Sequence, residues 1–162
     1  MIRRITSADA KDILKIYALG LETRNATFET KVPSWETWDQ KFHKHSRIVF
    51  ADNGEIQGWA GITPFSNREV YKGVAEVSIY VHPDYIGKGI GSQLMKKLIK
   101  SSEENGIWTL FSSVFPENEA TIKLHTRNNF KLLGRREKIA KLDGNWRDTL
   151  IFERRSKITG ID

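Results

Sequence analysis

Three glycines occur at every second position in the stretch Ile86-Gly87-Lys88-Gly89-Ile90-Gly91-Ser92. Because glycine has no Cβ, the backbone of such a stretch can approach a ligand very closely. A strand pattern precedes the stretch and a helical pattern follows it, so free N–H groups and a positive dipole end would favour an anion. The spacing fits neither a Walker loop nor the dinucleotide fingerprint. The stretch therefore predicts a phosphate or pyrophosphate site, with a plain strand-to-helix turn as the alternative.

A carboxylate lies inside the strand pattern before the glycines, at residues 74–81. Strand side chains alternate between faces, so Glu76 shares one face with Ser78 and Tyr80. A carboxylate in a largely apolar strand is costly unless it is paired or used in chemistry. A glutamate with a modestly raised pKa could take a proton from a neighbouring group, directly or through a water. Glu76 is a candidate general base, and an ion-paired structural glutamate is the alternative.

A second titratable candidate lies in the helix predicted after Pro116. Asn118, His125 and Asn129 recur there at the spacing of one helical face. Asn118 at the helix start can therefore meet a cofactor while His125 faces the same cleft. A histidine near neutrality can exchange a proton, whereas a lone helical histidine is more often a hydrogen-bonded filler.

The elements that position these residues follow from periodicity and turn signals. Strands are predicted at residues 2–5, 47–51, 56–62, 74–81, 107–115, 130–142 and 146–154. Helices are predicted to begin after Thr6 or Ser7, after Ser34, at Gly89 and at Glu117. Asn53-Gly54 and Asp143-Gly144 are hairpin signals. The order β-α-α-β-β-β-α-β-α-β-β indicates an α/β (α+β) fold with a mixed sheet.

Composition bounds the class of protein. The 162 residues are about one domain's worth, so we expect a single domain over residues 1–162. The absence of cysteine excludes disulfides and thiolate metal sites and agrees with a cytoplasmic location, and we expect no metal. No apolar run is long enough to span a membrane. The net charge of +6 is scattered over the sequence, which favours a solvated surface that steers an anionic cofactor over a nucleic-acid site.

Three features together resemble the GNAT N-acetyltransferase family. The glycine stretch is similar to its Gln/Arg-x-x-Gly-x-Gly/Ala loop, which binds the pyrophosphate of acetyl-coenzyme A, with Ile86 at the first position. The element order resembles the family over nearly the whole chain. Residues 118–130 resemble Asn-x-x-Ala-x-x-Leu-Tyr-x-x-x-Gly-Phe, with His125 where tyrosine is common and with Thr121 and Asn129 replacing Ala and Gly.

Four segments narrow the resemblance to the phosphinothricin acetyltransferase branch: residues 22–28, 75–81, 123–125 and 144–148. That branch acetylates the α-amino group of phosphinothricin, methionine sulfoximine or methionine sulfone, and it works as a homodimer. The resemblance implies a mostly antiparallel seven-stranded sheet flanked by four helices. It also implies direct acetyl transfer from acetyl-coenzyme A, with a carboxylate as general base.

The resemblance also implies site residues. Glu76 and His125 would share proton transfer. The cofactor-binding set would be Ile79, Tyr80, Val81, Ile86, Gly87, Lys88, Gly89, Ile90, Gly91, Ser92 and Asn118, with backbone groups of Ile79 and Val81 pairing with the pantetheine arm. The substrate-binding set would be Thr27, Phe28, Arg68, Tyr71, Asn145 and Trp146.

Arg68 is also a candidate for binding a substrate carboxylate on chemical grounds. An amino-acid substrate brings a carboxylate, which an arginine in the loop before the central strand could bind bidentately. A solvated loop charge is the alternative. For the whole chain, the alternatives are an acetyltransferase for a protein N-terminus, polyamine or aminoglycoside, a non-catalytic coenzyme A-binding module, and a basic nucleic-acid-binding module.

Overall fold

The computed structural model describes residues 1–162, and its elements follow the predicted order. The strands are β1 Ile2–Arg4, β2 Ile48–Asp52, β3 Glu55–Pro64, β4 Val74–Val81, β5 Thr109–Val114, β6 Lys131–Leu142 and β7 Asn145–Arg155. The helices are α1 Ala10–Glu22, α2 Trp35–Lys41, α3 Ile90–Glu104 and α4 Glu119–Arg127. No helix combines the length and apolar character needed to cross a membrane.

The seven strands form one sheet in the order β1-β2-β3-β4-β5-β7-β6. Every neighbouring pair is antiparallel except β4 and β5, which run parallel. This confirms the predicted α/β (α+β) fold, with a mixed, mostly antiparallel sheet and four helices. The Asn53-Gly54 and Asp143-Gly144 hairpin signals are also confirmed, because all four residues have positive φ.

Two apolar cores cover the two faces of the sheet. One core contains Leu94 and Leu98 of α3 together with Ala75 and Val77 of β4. The other contains residues of α1 and α2 and Trp59 of β3, and Tyr80 of β4 packs against it. Strand alternation therefore directs Glu76, Ser78 and Tyr80 away from the α3 side, as the sequence predicts.

The parallel pair β4 and β5 separates soon after it begins. The two strands pair only from Val74 to Glu76 on β4 and from Thr109 to Phe111 on β5. Beyond Glu76, β4 stays paired with β3 up to Val81, and β5 stays paired with β7 up to Val114. The sheet therefore opens between two intact halves, and the β4 backbone after Glu76 faces this opening without a strand partner.

Several element ends differ from prediction for local reasons. β5 begins at Thr109 rather than at residue 107, because the N–H groups of Trp108 and Thr109 both donate to the carbonyl of Gly73. Helix α4 begins at Glu119 rather than at 117, because the Asn118 side chain accepts a hydrogen bond from the Thr121 N–H and caps the helix. Thr6 starts a short 3-10 turn, and α1 follows it at Ala10.

Candidate active site

A cavity of about 420 Å³ occupies the opening between β4 and β5. Its lining comes from the strands on both sides, the loop after α1, helix α4 and the last hairpin. Glu76 to Tyr80 of β4, Ser112 to Val114 of β5 and Phe115 just after β5 line it. The other lining residues are Ala26, Thr27, Phe28, Glu29, Asn118, Thr121, His125, Arg136, Ile139, Ala140 and Thr149.

Glu76 lies in the cavity wall where the strands begin to separate. Burial raises the pKa of its carboxyl group above the ordinary value, while the positive charges of Lys41 and Arg136 act in the opposite direction. No side chain donates a hydrogen bond to the carboxylate, so its oxygens remain available to a substrate or a water. A half-buried carboxylate with a raised pKa and no partner has the properties of a general base.

His125 is buried on α4 and uses both ring nitrogens. Nδ1 lies 2.7 Å from the carbonyl oxygen of Thr121, and Nε2 lies 2.7 Å from Oγ of Ser112 on β5. A carbonyl oxygen only accepts, so Nδ1 carries the proton and Nε2 of the neutral ring accepts from the Ser112 hydroxyl. Burial lowers the pKa of His125 below its ordinary value, which keeps the imidazole neutral at neutral pH.

The glycine stretch follows β4 and leads into α3. Gly87 and Gly89 have φ of 83° and 77°, and no heavy atom lies within 4 Å of where a Cβ would stand on either residue. Gly89 is the N-cap of α3, and the first turn of this helix contains no acidic residue. An open, left-handed backbone before the positive end of a long helix fits a pyrophosphate group.

The loop after α1 contributes residues to the cavity lining and is held by two hydrogen-bonding side chains. Asn118 donates through Nδ2 to the carbonyl oxygen of Asn25 at 3.1 Å, and Arg147 of β7 donates to the carbonyl oxygen of Arg24 at 2.9 Å. The Arg147 guanidinium carbon also lies 4.0 Å from the centroid of the Phe115 ring. These contacts fix the loop that brings Thr27 and Phe28 to the cavity. The sequence reasoning missed the role of Arg147, although it singled out the two residues before it.

The structure brings some of the sequence-predicted residues together and leaves others apart. Glu76, Ile79, Tyr80, Asn118, His125, Thr27 and Phe28 line the cavity. Val81 ends β4, and residues 86–92 continue from there outside the cavity lining. Arg68, Tyr71, Asn145 and Trp146 are also outside the lining. The Arg68 guanidinium carbon lies 5.4 Å from the Tyr71 ring centroid, and Trp146 is 57% exposed.

The sequence reasoning did not single out three cavity residues, Ser112, Arg136 and Thr149. The ladder between β6 and β7 shifts register between Arg136 and Ala140, where the N–H of Lys138 donates to Asp148 Oδ1 at 2.7 Å. Such a bulge changes the direction of nearby side chains, so strand alternation alone does not assign Arg136 to the cavity. Thr149 is buried, and its Oγ1 has no hydrogen-bond partner.

Comparisons with known proteins agree with this geometry. Residues 12–130 match the acetyltransferase (GNAT) family. The chain is 31% identical over 158 residues to the L-methionine sulfoximine/L-methionine sulfone acetyltransferase of Pseudomonas aeruginosa, with 94% of this chain and 92% of that protein covered.

Two solved structures share the fold. A phosphinothricin acetyltransferase from Sinorhizobium meliloti in complex with AcCoA superposes with a TM-score of 0.91 at 27% identity, covering 100% of this chain and 91% of that one. A ribosomal-protein-alanine N-acetyltransferase from Brucella melitensis superposes with a TM-score of 0.88 at 27% identity, covering 96% of this chain and 99% of that one. With the family match over most of its length, the chain belongs to the GNAT acetyltransferase family, in the phosphinothricin acetyltransferase branch, and is an acetyl-coenzyme A-dependent N-acetyltransferase.

Proposed function

We propose that the enzyme acetylates the α-amino group of a small amino acid whose side chain ends in a tetrahedral, oxygen-bearing group. Methionine sulfone, methionine sulfoximine and phosphinothricin have this chemistry. The observation that carries the proposal is the presence of Glu76 and Arg136 in one cavity, each without an ion-pair partner. A base for the amine and a cation for the carboxylate are what a zwitterionic substrate requires. The name of the Pseudomonas relative supports the same substrate class.

In this proposal acetyl-coenzyme A enters the opening of the sheet from the α3 side. Backbone groups of Ile79 and Val81 pair with the pantetheine arm as a further strand would, because the β5 side of β4 has no strand partner beyond Glu76. The pyrophosphate meets the backbone N–H groups of residues 86–92, where Gly87 and Gly89 leave space for it. A backbone N–H of β4 is then near the thioester oxygen and stabilises the negative charge that develops on it.

Glu76 acts as the general base in this reaction. Its carboxylate takes a proton from the substrate ammonium, directly or through a water, and the neutral amine attacks the thioester carbon. Tyr80 lines the same wall, and its ring stacks on Trp59 at 5.1 Å between centroids. Burial raises the pKa of the Tyr80 hydroxyl far above its ordinary value. We therefore assign Tyr80 to packing against the cofactor and not to acid–base chemistry.

The substrate carboxylate is assigned to Arg136 rather than to Arg68. Arg136 lines the cavity and its charge reaches Glu76, whereas Arg68 lies beside Tyr71 outside the lining. The buried hydroxyl of Thr149 has no partner within the chain, so a substrate oxygen can supply one. Phe28 packs edge-to-face with Phe115 at 5.0 Å between centroids and gives the pocket an apolar wall for the methylene groups of the substrate.

A second candidate is acetylation of a protein N-terminus, because the Brucella enzyme shares the fold at 27% identity. A peptide has no free carboxylate next to its α-amino group, so it leaves Arg136 without a counter-ion. The test is a panel of the three amino acids, their decarboxylated amines, a polyamine and an alanine-terminated peptide, scored by release of free coenzyme A thiol. Turnover of the amino acids above all others supports the proposal. Turnover of the peptide alone contradicts it.

We also propose that the enzyme is a homodimer. Strand β6 is the last strand of the sheet, and Leu132, Leu133 and Ile139 on it are each about half exposed. A long edge strand that exposes apolar side chains is a natural site for pairing with another chain, and two-fold dimers are the commonest soluble assemblies. Light scattering should give twice the chain mass, and a monomer mass at micromolar concentration would contradict this assignment.

A further inference from the structure

Ser112 is a buried serine in the wall of the cavity, and its hydroxyl is bonded to the ring of His125. The neighbouring core residues Leu110 and Val114 show that this face of β5 is the one that α3 and α4 cover. Glu76 lies on the opposite face, with α2. The cavity therefore has one acid–base group on each face of the open sheet, and they are reached through the same opening.

The hydrogen bonds set the direction of proton donation. The carbonyl oxygen of Thr121 holds the Nδ1 proton of His125, so the Ser112 hydroxyl donates to Nε2. The lone pairs of the Ser112 oxygen are then left for a group in the cavity. A hydroxyl bonded to an imidazole whose other nitrogen is fixed by a third group is the arrangement in which an imidazole takes the proton of a serine.

Acetylation of an ammonium group requires two proton movements. The first proton leaves before attack, and Glu76 is placed to take it. After the C–N bond forms, the nitrogen still carries an extra proton and the sulfur is about to leave as a thiolate. A device that moves this second proton from nitrogen to sulfur completes the reaction without exchange with solvent.

We propose that Ser112 and His125 form a proton relay that carries the second proton from the acetylated nitrogen to the departing sulfur of coenzyme A. This inference rests on the direct transfer proposed above, and it adds Ser112 as the residue that touches the reacting atoms. His125 acts through Ser112.

The nitrogen lone pair forms the C–N bond while the C=O pair moves onto oxygen. The nitrogen proton passes to Ser112 Oγ as the hydroxyl proton of Ser112 passes to His125 Nε2. The oxygen pair re-forms C=O, the C–S bond breaks with its electrons on sulfur, and the proton returns from Nε2 through Oγ to the sulfur. Serine and histidine end in their starting states.

The relay predicts a specific pattern for substitutions at Ser112. Ser112→Ala should lower the single-turnover transfer rate by at least about tenfold while acetyl-coenzyme A binding measured by calorimetry stays unchanged. In mixtures of H₂O and D₂O the wild-type rate should depend on deuterium content along a curve, because more than one proton moves, whereas the variant should give a straight line. Ser112→Thr keeps the hydroxyl, so it should retain the wild-type rate and the curved deuterium dependence. Ser112→Val has nearly the same shape as Ser112→Thr but lacks the hydroxyl, so it should behave like Ser112→Ala.

A matched control is Ser102→Ala. Ser102 is equally buried and donates to the Ile99 carbonyl at 2.7 Å, but it is in α3 outside the cavity, so its loss should leave the rate unchanged. The assay uses whichever amine the wild type acetylates fastest, so a failure of the substrate proposal is visible in the panel and does not affect this test. An unchanged rate in Ser112→Ala, or a slower rate with the wild-type deuterium curve, overturns the relay.

Discussion

Glu76 and His125 line the same cavity from opposite faces of the sheet, and their surroundings differ in kind. Glu76 receives no side-chain hydrogen bond and faces only the distant charges of Lys41 and Arg136. His125 is bonded at both nitrogens, to Thr121 and Ser112, and it packs against Phe130 and Phe152. One group is left open toward a substrate, and the other is fixed by the fold.

This difference indicates how the site divides its work. A group that must adapt to the incoming ammonium is better left without an internal partner, because any partner would have to be displaced. A group that passes a proton along a fixed route gains from bonds that set its tautomer and orientation. Each substitution below therefore has a different expected signature on the two sides.

The largest effect on turnover is expected for Glu76, the group without an internal hydrogen-bond partner. Glu76→Gln removes the base but keeps the shape, so turnover should fall by roughly 100-fold or more while acetyl-coenzyme A binding persists. The wild-type rate should decline as the pH falls through the raised pKa of Glu76, because only the ionised form is a base. The variant should lack that limb. Steady-state rates across pH check both points, and full activity of Glu76→Gln at neutral pH would return Glu76 to a structural role.

The next largest effect is expected on KM when Arg136, the cation in the same cavity as Glu76, is removed. Arg136→Ala should raise KM for an amino acid by roughly 10- to 100-fold, because a charged hydrogen-bonded contact contributes about 1.5–3 kcal/mol. KM for the matching decarboxylated amine should not change. Arg68→Ala is the matched control, since it removes an arginine that lies outside the cavity. If Arg68→Ala gave the selective KM effect and Arg136→Ala did not, Arg68 would be the residue that binds the substrate carboxylate, as the sequence predicts.

A smaller effect on the transfer rate is expected for His125, which is bonded at both ring nitrogens. A thiol with a pKa near ~8.5 leaves fairly well without help, so His125→Ala should slow transfer by roughly tenfold, less than Glu76→Gln. The same change should also destabilise the fold by about 2–4 kcal/mol, because it leaves a cavity and removes the bonds to Ser112 and Thr121. Transfer rates and urea unfolding check these two expectations. A stable, fully active His125→Ala protein would remove His125 from both roles.

The sequence allows most of the fold and part of the site to be predicted. The Asn53-Gly54 hairpin, the strand face that carries Glu76 and the start of α3 at Gly89 are local properties, so all three could be predicted from neighbouring residues. Arg136 depends on a bulge, which strand alternation does not foresee. Ser112 depends on how α4 lies across β5, and a serine in a buried strand has no sequence signature. The length of the opening depends on where two parallel strands separate, which is a tertiary property.

The smallest expected effect is a change in melting temperature, and its sign should differ between Glu76→Gln and His125→Ala. The folded state raises the pKa of Glu76, so folding holds its proton more tightly and the ionised carboxylate opposes folding above that pKa. Glu76→Gln should therefore raise the melting temperature at neutral pH, and each kcal/mol gained would appear as about 2–4 °C in a chain of this size.

The gain should disappear near pH ~4 and below, where the wild-type carboxyl is protonated in both states. Glu22→Gln, at the exposed end of α1, removes the same charge from a residue without an ion-pair partner and should change the melting temperature little at either pH. Calorimetric melts of the three proteins at the two pH values give the comparison. Because His125→Ala lowers stability together with activity, a Glu76→Gln protein that is slower but more stable would identify Glu76 as the group kept unpaired for function. A Glu76→Gln protein that melts lower at neutral pH would mean that the carboxylate stabilises the fold, and the contrast between the two sides would be wrong.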